Sequence, residues 1–177
     1  MNFSIKKSDV IFKGIVFDIK VDQIEYDSGN AGVREVILHN GGAVVVPVTD
    51  EGKIIFVKQY RYPFNEWMYE LPAGKLEKGE DPFICATREL TEETGYTSNN
   101  ISKLGRIYTS PGFCDEILHI YLAENLIEGN HNREEGEFGM EVFEFTLDEI
   151  DKMIDDGKIV DSKSISGVYF YKNKNSK

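Results

Sequence analysis

Apolar residues along this chain change period several times, and those changes divide it into elements. Residues 10–12, 15–22 and 33–38 are rich in β-branched and aromatic side chains with partial alternation, so the first third reads as strands. Gly14 and the cluster Asp27-Ser28-Gly29-Asn30 read as turns between them. Gly41-Gly42 leads into Ala43-Val44-Val45-Val46-Pro47-Val48, a continuous apolar run typical of a strand buried on both faces. Asp50-Glu51-Gly52 is a turn, and residues 53–60 form the next strand. Residues 104–108 and 117–122 predict two more. The segment 125–139 has Gly, Asn and Glu in plenty and little apolar content, and reads as a mobile loop.

Two stretches switch to helical spacing. Asp81 is a good N-cap, Pro82 suits the first helical position, and Gly95 suits a left-handed position just past the end. Between them Phe83, Ala86, Thr87 and Leu90 predict a core-facing stripe. Ahead of this helix, Pro72-Ala73-Gly74 and Gly79 predict a bent loop whose backbone can approach a ligand closely. A second helix starts at Thr146 with a capping box, Thr146-Leu147-Asp148-Glu149. Ile150, Met153 and Ile154 are its apolar side and Gly157 its end. The segment 162–172 is ambiguous, because Val168-Tyr169-Phe170-Tyr171 has strand propensity, and 172–177 is expected to fray.

The first helix carries Glu89, Glu92 and Glu93 at i, i+3 and i+4, so all three leave one face and repel one another. Glutamates on a helix are usually a solvated face, and three alone would be read that way. A divalent cation with oxygen ligands is the chemistry that would gather them.

Charge and composition narrow the classes. The 177 residues suit one domain with a small N-terminal appendage. Hydrophobic content of 41% and charged content of 29% are ordinary for a globular protein. A net charge of −11 argues against non-specific nucleic-acid binding, which needs a basic surface. It leaves a small anionic substrate open, because a bound metal inverts the local field. No apolar run reaches the length of a membrane span, and no signal-peptide core is visible. Cys85 and Cys114 make no disulfide framework, and Cys85 reads as a small apolar filler. The expected location is the cytoplasm.

The whole constellation around the helix runs G-x5-E-x7-R-E-L-x-E-E-x-G-Y, from Gly74 through Glu80, Arg88, Glu89, Leu90, Glu92, Glu93 and Gly95 to Tyr96. It resembles the Nudix box of the Nudix hydrolases, with Tyr96 a slightly polar choice at a position that is usually bulky and apolar. That box supplies metal and hydrolysis but does not choose the substrate. Other segments resemble the ADP-ribose pyrophosphatase branch: residues 33–35, 57–62, 66–74, 109–116 and 156–164, with Pro111 lying 16 residues beyond Gly95. The likeness runs from about Val10 to Tyr171 and is loose at the N-terminus.

What the resemblance implies is specific. The fold would be α+β: a mixed sheet between helices (α/β/α) with an N-terminal antiparallel sheet, and the 162–172 segment would be helical. Residues 1–40 would serve dimerisation and substrate binding, and 41–177 would be the hydrolase domain of a homodimer. Mg²⁺, with Mn²⁺ as a substitute, would sit on Glu89 and Glu93 and the carbonyl of Ala73, with Glu92 assisting. Arg88 would orient glutamates of the helix. Arg61, Arg34, Glu70, Pro111 and Gly112 would face the substrate. For the two arginines the alternative is a surface ion pair, which weighs more for Arg34 than for Arg61, and Glu70 could equally be a structural partner of Arg88. Phe12 or Phe17 could stack on adenine, though core packing is the plainer role. The general base would be a loop glutamate: Glu137 is favoured, with Glu134, Glu135 and Glu141 as alternatives. Another nucleoside diphosphate derivative, or a non-catalytic nucleotide sensor, are the rival readings. A sensor would not need all three box carboxylates.

Overall fold

The computed structural model describes residues 2–130 and 139–175. These fall into two compact units. One comprises Met1–Gly41 with Tyr108–Ile117, and the other Gly42–Ile107 with Leu118–Lys177.

The first unit is an antiparallel sheet of β1 (Phe3–Lys13), β2 (Asp18–Tyr26) and β3 (Ala31–Leu38), in that order. The strand expected over 15–22 begins only at Asp18. Gly14 donates its N–H to the Phe17 carbonyl at 3.1 Å and to Asp18 Oδ1 at 3.2 Å, so the chain turns there and leaves Ile15 almost fully exposed. β-branched residues fit a hairpin tip as readily as a strand when no partner is visible in the sequence. The returning segment 110–116 joins this unit, with Ile37 N–H donating to the Phe113 carbonyl at 2.7 Å.

The second unit is built on β4 (Gly42–Pro47), buried along its whole length. Its neighbours are β7 (Ala73–Lys75), which runs antiparallel to it, and β9 (Ile117–Glu128), which runs parallel, with β8 (Tyr96–Tyr108) beyond β9. Side chains alternate across this sheet. Ala43 and Val45 of β4, with Tyr121 and Ala123 of β9, pack against Cys85, Ala86 and Leu90 of α1 (Pro82–Thr94). Val44 and Val46, with Ile120 and Leu122, face the opposite way. There they meet Ile150 of α2 (Leu147–Asp155) and Val168 and Tyr171 of α3 (Ser162–Asn175). Each fully buried Leu or Ile in these layers contributes about 1.5–3 kcal/mol. A second sheet, β10 (Glu141–Phe145), β5 (Ile54–Arg61) and β6 (Glu66–Glu70), adds Ile54 and Phe56 to the same core. The expected α+β sandwich of helix, mixed sheet and helix, with a separate N-terminal antiparallel sheet, is the observed architecture.

Several local expectations hold and several need correction. Asp81 caps α1 through the Phe83 N–H, Pro82 opens it, and Gly95 closes it at φ 77°. The capping box of α2 is complete. The 162–172 segment is helix, and the helix runs on to residue 175 where fraying was expected. The bent loop at 73–75 is instead the short strand β7. β9 continues through 125–128, where a loop was expected, and Leu126 packs against the α1-side core layer. β8 starts at Tyr96, eight residues earlier than the 104–108 segment expected. Its polar first half stays in the sheet because Ser98 and Thr97 hydroxyls donate to the carbonyls of Glu124 and Ile127.

Candidate functional site

Helix α1 does not present its acidic face to water. Its buried residues are Cys85, Ala86, Glu89, Leu90, Glu93 and Thr94, while Phe83 is exposed. The stripe is therefore rotated from the expected one, toward the carboxylates. Glu89 and Glu93 are only 6% and 2% exposed.

Two backbone features make that burial possible. Glu93 Oε2 accepts the N–H of Ala73 at 3.0 Å. Glu89 lies directly over Gly74, where an added Cβ would meet Glu89 Oε1 at 1.7 Å and its Cδ at 2.0 Å. Only glycine leaves the carboxylate that space. β7 pairs with β4, Val44 opposite Ala73 and Ala43 opposite Gly74, so the sheet holds the backbone that holds the carboxylates.

The positive charge expected against the glutamates is supplied in part by Arg88. Its Nη1 donates to Glu89 Oε1 at 2.6 Å and to Glu92 Oε2 at 2.9 Å, and its Nε to Glu80 Oε1 at 3.3 Å. Burial alone would favour the neutral guanidine, but the bond to Glu80 and the charges of Glu89 and Glu92 outweigh it and hold Arg88 charged. Burial likewise opposes ionisation of Glu80, and the Glu77 amide and Arg88 together bring its carboxyl below the usual range. Beside them the Cys85 thiol is pushed up to about 12, first by burial and then by the charges of Glu89 and Glu80. It stays a neutral thiol, near the carbonyls of Gly74 and Lys75 at 3.6 and 3.7 Å. The expected filler role of Cys85 is the observed one.

Glu70 is not a partner of Arg88. Arg61 grips it side-on, Nε to Oε1 at 2.8 Å and Nη2 to Oε2 at 2.6 Å, and Lys163 Nζ donates to the same Oε2. Sequence reasoning missed Lys163, which lies 93 positions away and carries no local signal. Burial raises the Glu70 carboxyl, yet Arg61 and Lys163 together leave it below its ordinary value.

In the other unit, Arg34 Nη2 donates to the Tyr26 hydroxyl, Nη1 to the Val33 carbonyl at 2.9 Å, and its guanidinium lies 5.8 Å from the Tyr26 ring centroid. Pro111 and Gly112 occupy the exposed turn after β8. Phe12 and Phe17 face each other at 6.1 Å. Glu141 pairs opposite Lys58 in β10, and Glu134, Glu135 and Glu137 lie outside the described residues.

The donor set fits a hard divalent cation. It offers buried carboxylate oxygens, with that of Glu89 seated against the bare Cα of Gly74. Among the described residues no three His, Cys, Asp or Glu side chains form a ready-made metal cage.

The NUDIX domain family model matches residues 39–165. An ADP-ribose pyrophosphatase of Bacillus subtilis (strain 168) is 46% identical over 93% of this chain and 89% of its own. A methanol dehydrogenase activator of Bacillus methanolicus is 43% identical over the same shares. The crystal structure of an ADP compounds hydrolase superposes with a TM-score of 0.87 over 98% of this chain and 94% of its own. At 18% identity that structure speaks to the fold.

Two outcomes are expected. Gly74→Ala forces the Glu89 carboxylate aside, and Mn²⁺ affinity measured by titration calorimetry falls by about tenfold or more, the scale of a disturbed metal support. Unchanged affinity in a folded variant would remove the link between Gly74 and the cation. Glu70→Gln removes the carboxylate that pairs Arg61, leaves Lys163 with Asp161 alone, and costs about 3–5 kcal/mol in denaturant unfolding at pH 7. Because the folded Glu70 carboxyl lies below its ordinary value, its contribution is present above that value and lost as pH falls through the folded one. The gap between wild type and variant should therefore narrow only in acid.

Proposed function

This chain belongs to the Nudix family, and from that premise we propose that it hydrolyses the diphosphate of ADP-ribose to AMP and ribose 5-phosphate. The observation that carries the reading is the pair of buried carboxylates, Glu89 and Glu93, set against the glycine-cleared strand at Ala73 and Gly74. The likeness to an ADP-ribose pyrophosphatase over nearly the whole chain supports the choice of substrate.

Glu89 and Glu93 would hold Mg²⁺, or Mn²⁺ in its place, with Glu92 assisting and the Ala73 carbonyl adding an oxygen. Bound there, the cation supplies charge to neutralise the diphosphate and acidifies water for attack on phosphorus. Arg88 keeps the glutamates apart and oriented through its three ion pairs. Arg61 turns its Nε and Nη2 edge to Glu70, so its outer edge can take a phosphate oxygen. Glu70 fixes that arginine. Arg34, Pro111 and Gly112 would contact the rest of the substrate. Glu137 would remove the proton from the attacking water, ahead of Glu134, Glu135 and Glu141.

The functional protein in this reading is a cytoplasmic homodimer, with residues 1–40 serving dimerisation and substrate binding and 41–177 the hydrolase domain. It acts on a small molecule, not on nucleic acid. The N-terminal sheet exposes Ile5, Val10, Ile11 and Phe12, apolar surface that a second copy would cover. No helix among the described residues is long and apolar enough to cross a membrane.

Turnover of a panel containing ADP-ribose, a nucleotide sugar and a dinucleoside polyphosphate, read as AMP release with added Mg²⁺, tests the substrate. ADP-ribose is expected to give the highest kcat/KM. Glu93→Gln and Glu137→Gln should each lose about 10²-fold or more in kcat. Wild-type-like rates in Glu93→Gln would sink the metal assignment. Loss in Glu141→Gln with survival of Glu137→Gln would move the base to Glu141. Light scattering on a sizing column should show a two-chain species, and a monomer at assay concentration would refute the dimer.

A further inference from the structure

A closed ring of polar groups joins the start of α3 to the end of β6. Lys163 Nζ donates to Glu70 Oε2 and to Asp161 Oδ2, the latter at 2.9 Å. Asp161 Oδ2 accepts from the Ser164 amide at 3.0 Å and from the Ser164 hydroxyl. Ser164 Oγ in turn accepts the N–H of Leu71 at 2.7 Å. Leu71 follows Glu70 directly, so the ring leaves the Glu70 side chain and returns to the adjoining peptide. α3 thereby fixes where the Glu70 carboxylate sits relative to its own strand. Lys163 and Ser164 are both buried, so water does not substitute for these bonds.

The charges alternate along the chain of contacts: Arg61, Glu70, Lys163, Asp161. Glu70 Oε2 is shared between Arg61 Nη2 and Lys163 Nζ. Without Lys163, the whole carboxylate charge would fall to Arg61, pulling its guanidinium inward and weakening its call on any other anion. With Lys163 present, the Arg61 side chain stays partly exposed, and Glu93 and Asp161 lie near enough to act on it electrostatically.

We propose that Lys163 is a positioning residue for substrate affinity: by sharing Glu70 it keeps the outer edge of Arg61 available to the substrate diphosphate. The inference rests on the pyrophosphatase reading above. Lys163 touches no reacting atom, so its loss should weaken binding and leave the chemical step alone.

The test is steady-state kinetics on the full chain with Mg²⁺ and ADP-ribose. Lys163→Met should raise KM about tenfold, the scale of a lost charge-assisted hydrogen bond, with kcat within about threefold. Lys163→Arg, which restores a cation to Glu70, should recover most of the affinity. Asp161→Asn keeps the cap of α3 but loosens Lys163, and should raise KM by a smaller factor, about threefold. It carries the test if Lys163→Met does not fold. Wild-type KM in whichever variant folds, or a fall in kcat at unchanged KM, would overturn the inference alone. Absence of ADP-ribose turnover by the wild type would overturn the substrate reading and this inference with it.

Discussion

Three carboxylates converge on the guanidinium of Arg88, and the second unit is arranged so that they can. Taking charges out of water costs several kcal/mol per ion unless each finds a partner. Glu89 and Glu93 lie on the inward side of α1, among Cys85, Ala86 and Leu90. Arg88 reaches Glu89 and the Ala73 amide reaches Glu93, and these contacts offset the cost of burying them alongside an apolar stripe. Gly74 must lack a side chain for the same reason. The helix, the short strand before it and the sheet that pairs that strand are thus one solution to one electrostatic problem.

That solution depends on β4. Its alternate side chains fill two core layers, so it cannot shift register without exposing one of them. Its hydrogen-bonded edge then fixes β7, and with it the backbone at Ala73 and Gly74. The apolar core holds the functional geometry through a chain of contacts only a few residues long. On the other side of the core, Leu71 and Glu70 are tied to α3 by Ser164 and Lys163. The strand and loop from residue 70 to residue 74 are therefore held at both ends.

Much of this was legible in the sequence wherever the signal is local. Caps, the glycine at φ 77° and the doubly buried β4 each leave a signature within a few residues. The Nudix box was legible because its spacing is itself local. What escaped is what depends on distant partners. The first half of β8 is polar because its hydroxyls bond the carbonyls of β9, so its composition resembled a loop. β7 is three residues long, too short to show alternation. Ile15 and Val16 have strand propensity but sit at a hairpin tip, which only the pairing of β1 with β2 reveals. Glu70 was singled out with the wrong partner considered, since neither Arg61's grip nor Lys163 follows from spacing.

The two charged clusters differ in a way that bears on ligand binding. Around Glu70 the charges balance, two cations against two carboxylates, so the cluster holds its geometry with or without a ligand. Around α1, Glu80, Glu89 and Glu92 share the single guanidinium of Arg88, with Glu93 on the Ala73 amide of the neighbouring strand. Repulsion within such a cluster is a cost carried by the folded chain, and a divalent cation bound there would relieve it. A ligand that binds the folded state alone stabilises it by mass action. A metal held on the α1 carboxylates, as proposed, would therefore be coupled to stability, whereas the Arg61–Glu70–Lys163–Asp161 cluster is already paired. In the proposed reading, a preset anion site beside a carboxylate-rich cation site would be the division of labour that hydrolysis of a metal-bound diphosphate requires.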